Sequence, residues 1–424
     1  MFNERFKAIR QASGKTQKEL AEFLNITPQS VSKWEKGEAL PSIEYLPLMA
    51  KFFGCSINVF FEEVYESTLS DKITEEIHLS NDVEKIKARI ASAFSNLRLN
   101  AEITQVHEGV RVITFTCVAS GKTQLKHVFD KYGEISTAVD DKMIMRSMDN
   151  NKRSFVIEIT KKQFDEISLA KALESTEYKN SNHRMPIIIG YDTNDKLLID
   201  DLAASPHILI GGDVHSGKTT FLRNLLTCLT SRFNKDELGI VVSDMSKSDL
   251  LYANEYPHLL GEVLTSVDDA EKALKCLKDE MISRYAALEA FGAPDILTYN
   301  AAGRNKMKRL VLVIDELIDL LVYSDKISGI LFELATNGSK VGIHLIIATR
   351  HAHRKLEALK AVIPSTVTFF TGSGPSDQRI TGVSMGRSLA GCGDLIYCGK
   401  EYWHVRAQAP YIDSKASLKL AKKQ

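Results

Sequence analysis

The stretch that most narrows what this chain can fold into is "GGDVHSGKTT", residues 211–220. Gly212 to Thr219 satisfies the pattern GxxxxGK[ST], and its flanks matter more than the string itself. An apolar run, "PHILIGG", leads in as a strand, and "TTFLRNLLTCLTSRF" leads out as a helix. Between such flanks, glycines let backbone N–H groups turn inward around phosphates, and the helix N-terminus adds a favourable dipole. Gly212, Asp213, Val214, His215, Ser216, Gly217, Lys218, Thr219 and Thr220 are therefore expected to cradle ATP. Lys218 is expected to neutralise β/γ-phosphate charge, and Thr219 to offer its hydroxyl to Mg²⁺. The chain carries a control: "SGKT" recurs at 120–123, but Thr116 stands where the cradle needs its first glycine. That copy reads as a hairpin turn.

The second half of a phosphate-cleaving site is "LVLVIDE". Five apolar residues, Leu310 to Ile314, carry Asp315 to a buried strand end, where it is expected to hold a Mg²⁺-bound water. Glu316 is expected to orient the attacking water as base. Two acids at the end of a buried strand are costly unless a cation or donors offset their charge. The adjacent glutamate favours turnover over slow switching. Further apolar runs, "LGIVVSDM", "VGIHLIIATR" and "STVTFFTG", alternate with helical stretches. Such alternation predicts a mostly parallel sheet covered by helices, with ligands at the strand C-termini.

At 424 residues two or three domains are expected. Lys and Arg balance Asp and Glu to a net charge of zero, so nucleic-acid contact must come from local patches. The six cysteines form no CxxC or Cys/His metal spacing, which suits a reducing cytoplasm. No apolar stretch reaches about 18 residues, so no membrane span is expected. The fold class is multidomain: an all-α head over residues 1–66, an acidic linker over 67–80, a small α/β domain over 81–185, and an α/β phosphate-loop domain over 186–424. A helix is predicted from Asn81, with Val83, Ile86, Ile90, Phe94 and Leu97 at the helical period. "GRNKMKR", Gly303 to Arg309, is a basic cluster that either touches a phosphate backbone or is solvated.

In the head, Thr16-Gln17-Lys18-Glu19 is a capping box that starts one helix. Asn25-Ile26 makes a turn, Thr27 caps the next helix, and Pro28 takes its first position. Ile26, Val31 and Trp34 are expected inward, leaving Gln29, Ser30, Ser32 and Lys33 outward, the layout of a helix-turn-helix reader. Gln29 suits an adenine edge, Lys33 guanine or phosphate, and Gln17 the backbone, with Thr27, Ser30 and Ser32 also expected at the DNA. Residues 1–61 resemble the Cro/C1 (XRE) repressor class. That resemblance implies an ion pair between Arg10 and Glu35. A helical protein-docking module is the competing reading, since some members of the class bind proteins.

"SPHILIGGDVHSGKTTFLRNLL", "LVLVIDELIDLL", "GIHLIIATR" and "GRSLAGCGDLIYCG" resemble the motor domain of the FtsK/SpoIIIE family of DNA translocases. The resemblance runs over roughly residues 150–412, and 81–150 is similar to a diverged form of the family's preceding α domain. It implies a RecA-like ATPase that assembles as a homo-oligomeric ring, usually a hexamer, around double-stranded DNA and pumps it. It also implies a trans-acting cation, for which Arg379 in "SGPSDQRITG" is the candidate. Two departures stand out. Where the family has Ala-Thr-Gln-Arg-Pro, this chain has Ala348-Thr349-Arg350-His351, replacing the glutamine that senses γ-phosphate. The sequence also ends soon after "YWHVRAQAPYI", without the winged-helix and membrane segments of typical members. The leading expectation is a cytoplasmic DNA translocase recruited by its head, serving conjugation of a mobile element or chromosome partition, with a membrane or relaxosome partner. The alternatives are an ATP-responsive transcriptional regulator whose ATPase region drives oligomerisation, and a secretion-type ATPase that moves protein.

Overall fold

The computed structural model describes residues 3–53, except positions 4, 5, 8, 11, 12, 14, 25, 43 and 44, and residues 81–422, except 140–142, 149–152, 163–165, 248, 303–305, 373 and 384. The expected linker, the end of the head and Asn25 lie outside the described residues. The chain divides into two units, residues 1–80 and 81–424.

The first unit is helical, with helices Gln17–Phe23, Pro28–Lys36 and Tyr45–Phe53. Thr16 caps the first of these, and Glu19 returns a bond to the Thr16 backbone, the reciprocal arrangement expected from the spacing. Thr27 caps the second, and Gly37 closes it at φ +76°. Phe6, Leu20, Ala21, Leu24, Val31, Trp34 and Met49 form its core.

Among the described residues, the second unit holds two sheets. The smaller contains β1 (Ala101–Glu108), β2 (Val112–Ala119), β3 (Met143–Ser147) and β4 (Ser154–Thr160) in the order β1-β2-β4-β3, all antiparallel. Helix Asn81–Asn96 buries Val83, Ile90 and Phe94, and Phe94 meets the Phe155 ring edge-on at 6.1 Å. The second "SGKT" is a turn, but not of a hairpin. Gly121 takes φ +58°, and the chain enters helix Leu125–Asp130. Both flanks of β2 are already occupied, by β1 and β4, so the chain leaving it has to depart the sheet.

The larger sheet runs β6-β5-β13-β12-β11-β7-β10-β9-β8. Its strands are β5 (Pro186–Asp192), β6 (Leu197–Asp201), β7 (His207–Gly211), β8 (Leu238–Ser243), β9 (Arg309–Ile314), β10 (Ile343–Thr349), β11 (Ser365–Phe369), β12 (Asp394–Cys398) and β13 (Val405–Gln408). The strands from β11 to β8 are parallel, and the β5, β6, β12 and β13 half is antiparallel. The sheet is thus mixed rather than mostly parallel. Short connections join β5 to β6 and β12 to β13, and links that short permit only antiparallel pairing.

The parallel half explains the unbroken apolar runs. Ile208, Ile210, Val311, Val313, Ile346 and Ala348 pack on one face with helix Lys218–Arg232. Leu209, Leu310, Leu312, Ile314, Leu345 and Ile347 pack on the other with helix Val267–Phe291. Each buried side chain of this kind contributes about 1.5–3 kcal/mol. Leu169, Ala172 and Tyr178 join the first of these cores, so the segment just before β5 packs with the phosphate-loop fold.

Candidate functional site

The chain leaves β7 at Gly211, turns through 212–217 and enters helix Lys218–Arg232. Side-chain-free residues are required at both ends of that turn. A Cβ on Gly212 would fall 2.7 Å from Phe369 Cβ and 2.8 Å from Ser216 Oγ. Gly217 caps the helix at φ +116°, and a Cβ there would meet the Gly393 nitrogen at 2.8 Å. His215 adopts φ +59°. The loop is braced on two sides: Asp213 N donates to Phe370 O (2.9 Å) and Gly393 N to Ser216 O (3.2 Å). Lys218 is buried, and its ammonium donates to Asp213 O at 2.8 Å. Burial lowers its pKa, against the opposing charges of Glu316 and Asp315.

Strand order brings the second half of the site to this loop. β10 lies between β7 and β9, so the acids ending β9 face the loop across one strand. Thr219 Oγ1 donates to Asp315 Oδ1 at 3.4 Å, joining residues 96 apart in sequence. Asp315 N donates to Ser243 O of β8. Burial raises the Asp315 carboxyl to about 6, and the neighbouring Asp244 charge adds to it. Among the described residues no three His, Cys, Asp or Glu side chains gather as a ready-made metal site. A single hydroxyl–carboxylate pair beside a phosphate cradle nevertheless fits Mg²⁺, which is commonly bound through one or two carboxylates plus substrate phosphates. A carboxylate held in unfavourable surroundings, with a hydroxyl facing it, is the donor set such a cation would relieve.

Glu316 is 5% exposed, and both its oxygens are engaged. Oε1 accepts from Thr349 Oγ1 (2.9 Å) and Arg350 N (3.1 Å), while Oε2 accepts from Arg350 N (3.1 Å) and Arg350 Nε (2.7 Å). The expected base is thus brought to the site, but ion-paired with the residue that departs from the family pattern.

These groups line an open cavity of about 780 Å³. Lys218, Thr219, Thr220, Asp315, Glu316 and Arg350 form one end, with Val214, His215 and Gly217. Arg379 does not line it: it is exposed on helix Gly374–Thr381. That helix abuts the loop, since a Cβ on Gly211 would fall 2.7 Å from Ile380 Cγ2.

Several lining residues escaped the sequence reading. Asp244 and Asp249 complete the acidic wall, and Asp244 ends an apolar run with the same signature as Asp315. Glu166, Ile167, Cys392, Gln408, Pro410 and Tyr411 also line it. They come from segments some 240 residues apart, joined where Tyr411 N donates to Ile167 O and Leu169 N to Tyr411 O. No local pattern marks them.

In the head, Thr27, Gln29 and Lys33 are exposed and Ser30 and Ser32 half-buried, while Val31 and Trp34 point into the core. Ser30 N donates to Thr27 Oγ1 at 3.3 Å. Gln17 stands apart from them: its amide donates to Glu35 Oε2 at 2.7 Å, so the side chain is drawn into the Arg10–Glu35 pair. Of the basic cluster, Gly303, Arg304 and Asn305 lie outside the described residues, and the remainder leads into the start of β9, opposite the cavity.

With this geometry in view, residues 168–355 match the FtsK/SpoIIIE family and residues 6–60 match a helix-turn-helix family. The chain therefore carries an FtsK/SpoIIIE-family domain behind a helix-turn-helix domain. A DNA translocase FtsK of Caldanaerobacter subterraneus is 27% identical over 337 residues, covering 78% of this chain and 47% of that protein. A DNA translocase FtsK of Clostridium tetani is 28% identical over 349 residues, 80% of this chain and 46% of its own length. The chain spans about half the length of these relatives. Among solved structures, the pCW3 conjugation coupling protein TcpA, in a monomer form with ATPγS, superposes with a TM-score of 0.56 at 21% identity, covering 80% of this chain and 99% of that one. The fold is that of these P-loop ATPases. Among the described residues no helix is long and apolar enough to cross a membrane.

Proposed function

We propose that this chain is an ATP-driven translocase of double-stranded DNA, brought to its substrate by the helix-turn-helix head. The observation that carries the reading is the meeting of Thr219 and Asp315 at 3.4 Å inside one cavity with Lys218 and Glu316. In this reading Lys218 leaves the Asp213 carbonyl to neutralise the β/γ-phosphates, and the N–H groups opening helix Lys218–Arg232 bind phosphate oxygens. Thr219 and Asp315 would hold Mg²⁺, which supplies charge neutralisation on the phosphates when bound. Glu316 positions and deprotonates the attacking water. Exposed Arg379, outside its own cavity, suits a cation delivered to a neighbouring subunit in a ring, and a hexamer is the assembly this reading favours.

At the head, Gln29 reads base edges, while Lys33, Ser30, Ser32 and Thr27 hold the groove and phosphates. Gln17 keeps one amide face for backbone contact while the other braces Glu35. A motor joined to a sequence reader suits cytoplasmic DNA transfer, as in conjugation, or partition of a replicon, with a membrane or relaxosome component as partner. The names of the relatives and of the coupling protein support a DNA substrate.

The test is steady-state ATPase activity with and without duplex DNA, together with triplex displacement, for wild type and Lys218→Ala. The expected result is DNA-stimulated turnover and displacement in wild type, and neither in the variant. Turnover indifferent to DNA would overturn the motor reading in favour of an ATP-responsive regulator.

A further inference from the structure

We infer that Arg350 is a positioning residue that holds Glu316 out of action until a γ-phosphate draws its guanidinium away. The inference rests on the ATPase reading above, and deepens it by assigning a regulatory contact within that site.

Three observations carry it. First, Glu316 has no idle oxygen: Thr349 Oγ1 and the Arg350 backbone N–H engage Oε1, while the same N–H and the Arg350 guanidinium engage Oε2. A carboxylate accepting four bonds, one of them charge-assisted, is poorly placed to take a proton from water. Second, the two partners differ in freedom. The Glu316 side chain is 6% exposed, whereas that of Arg350 is 37% exposed and lines the cavity. Arg350 is therefore the member that can move. Third, the register aims it at the phosphates. Thr349 of β10 pairs with Gly211 of β7, so Arg350 emerges beside the first residue of the phosphate loop.

An incoming triphosphate offers the guanidinium a denser anion than a single carboxylate, in a geometry that matches its fork. When Arg350 exchanges partners, Glu316 keeps Thr349 and the backbone N–H but regains a lone pair facing the cavity. A diphosphate does not reach that position and leaves the pair intact. The device therefore ties release of the base to the presence of the bond to be cleaved.

Binding of the imido triphosphate analogue and of ADP, each with Mg²⁺, tests this by competition against a fluorescent nucleotide. The proteins are full-length wild type, Glu316→Gln, Arg350→Gln, the double variant, and Lys218→Ala. Glutamine at 316 keeps the shape but not the charge, so Arg350 no longer has to leave an ionic partner. The expected result is triphosphate affinity about three- to tenfold tighter in Glu316→Gln, the scale of a part-exposed charge-assisted pair, with ADP affinity within about twofold of wild type. The gain is expected to vanish when Arg350→Gln is added. Unchanged triphosphate affinity, equal tightening for ADP, or a gain that survives in the double variant would overturn the inference. Failure of the underlying reading is recognised separately: wild type would then bind neither nucleotide, or bind no better than Lys218→Ala, and the inference would fall with it.

Discussion

Two buried histidines at the opposite end of the sheet from the cavity set an acid limit on this fold. His207 of β7 and His344 of β10 are each 1% exposed. Leu345 N donates to His207 Nδ1 at 3.1 Å, so that nitrogen is an acceptor and the ring is neutral. His344 Nδ1 lies 3.2 Å from Pro206 O. Burial pushes His207 down to about 4 and His344 to about 3, and the His207 ring depresses His344 further. Above the ordinary histidine value of 6.5 both states are neutral and stability does not depend on these groups. As pH falls through 6.5 the unfolded chain takes up two protons that the folded chain refuses, so stability falls until the folded values are reached. Between pH 7.5 and 5 the loss is about 2 kcal/mol per histidine, or about 4 for the pair. Replacing His344 with leucine, of similar volume, is expected to remove about half of that loss. Urea unfolding of the full-length protein by far-UV circular dichroism at both pH values measures it, and contributions of other titrating groups cancel in the comparison with wild type. Equal losses in the two proteins would refute the reasoning.

The loop and the head offer further checks. Gly217→Ala forces a methyl group to within 2.8 Å of the Gly393 nitrogen at φ +116°; ATP binding by fluorescent-nucleotide titration is expected to fall at least about tenfold while the head still melts normally. Glu35→Ala leaves Arg10 and Gln17 without their carboxylate, and is expected to cost the head about 3 kcal/mol in thermal unfolding. Gln29→Ala, on the exposed face, is expected to leave that melting unchanged but to weaken discrimination among DNA sequences by about 1–3 kcal/mol in competitive binding.

Much of the architecture could be read locally. Capping at Thr16 and Thr27, the apolar runs of β7 to β11 and the glycine spacing at 212 and 217 follow from rules that act within a few residues. A steric demand at a turn, or burial of a strand on both faces, leaves its mark in adjacent positions. The antiparallel half of the sheet was harder to read, because its strands are short and pair across long sequence gaps, as β5 does with β13. The turn after β2 reads locally as a hairpin, because a turn's residues do not reveal whether the flanks of the preceding strand are already filled.

What the sequence alone determined is which chemical groups this chain possesses and the local shapes that present them: a phosphate cradle, two acids at a strand end, and a capped reader helix. Tertiary structure alone decided how they meet. Insertion of β10 between β7 and β9 sets Arg350 against Glu316 and leaves Thr219 facing Asp315, while the folding of Tyr411 back onto Ile167 adds both residues to the cavity's lining. Strand order and side-chain pairing are settled by burial and charge balance summed over the whole unit, and distance along the chain carries no record of them.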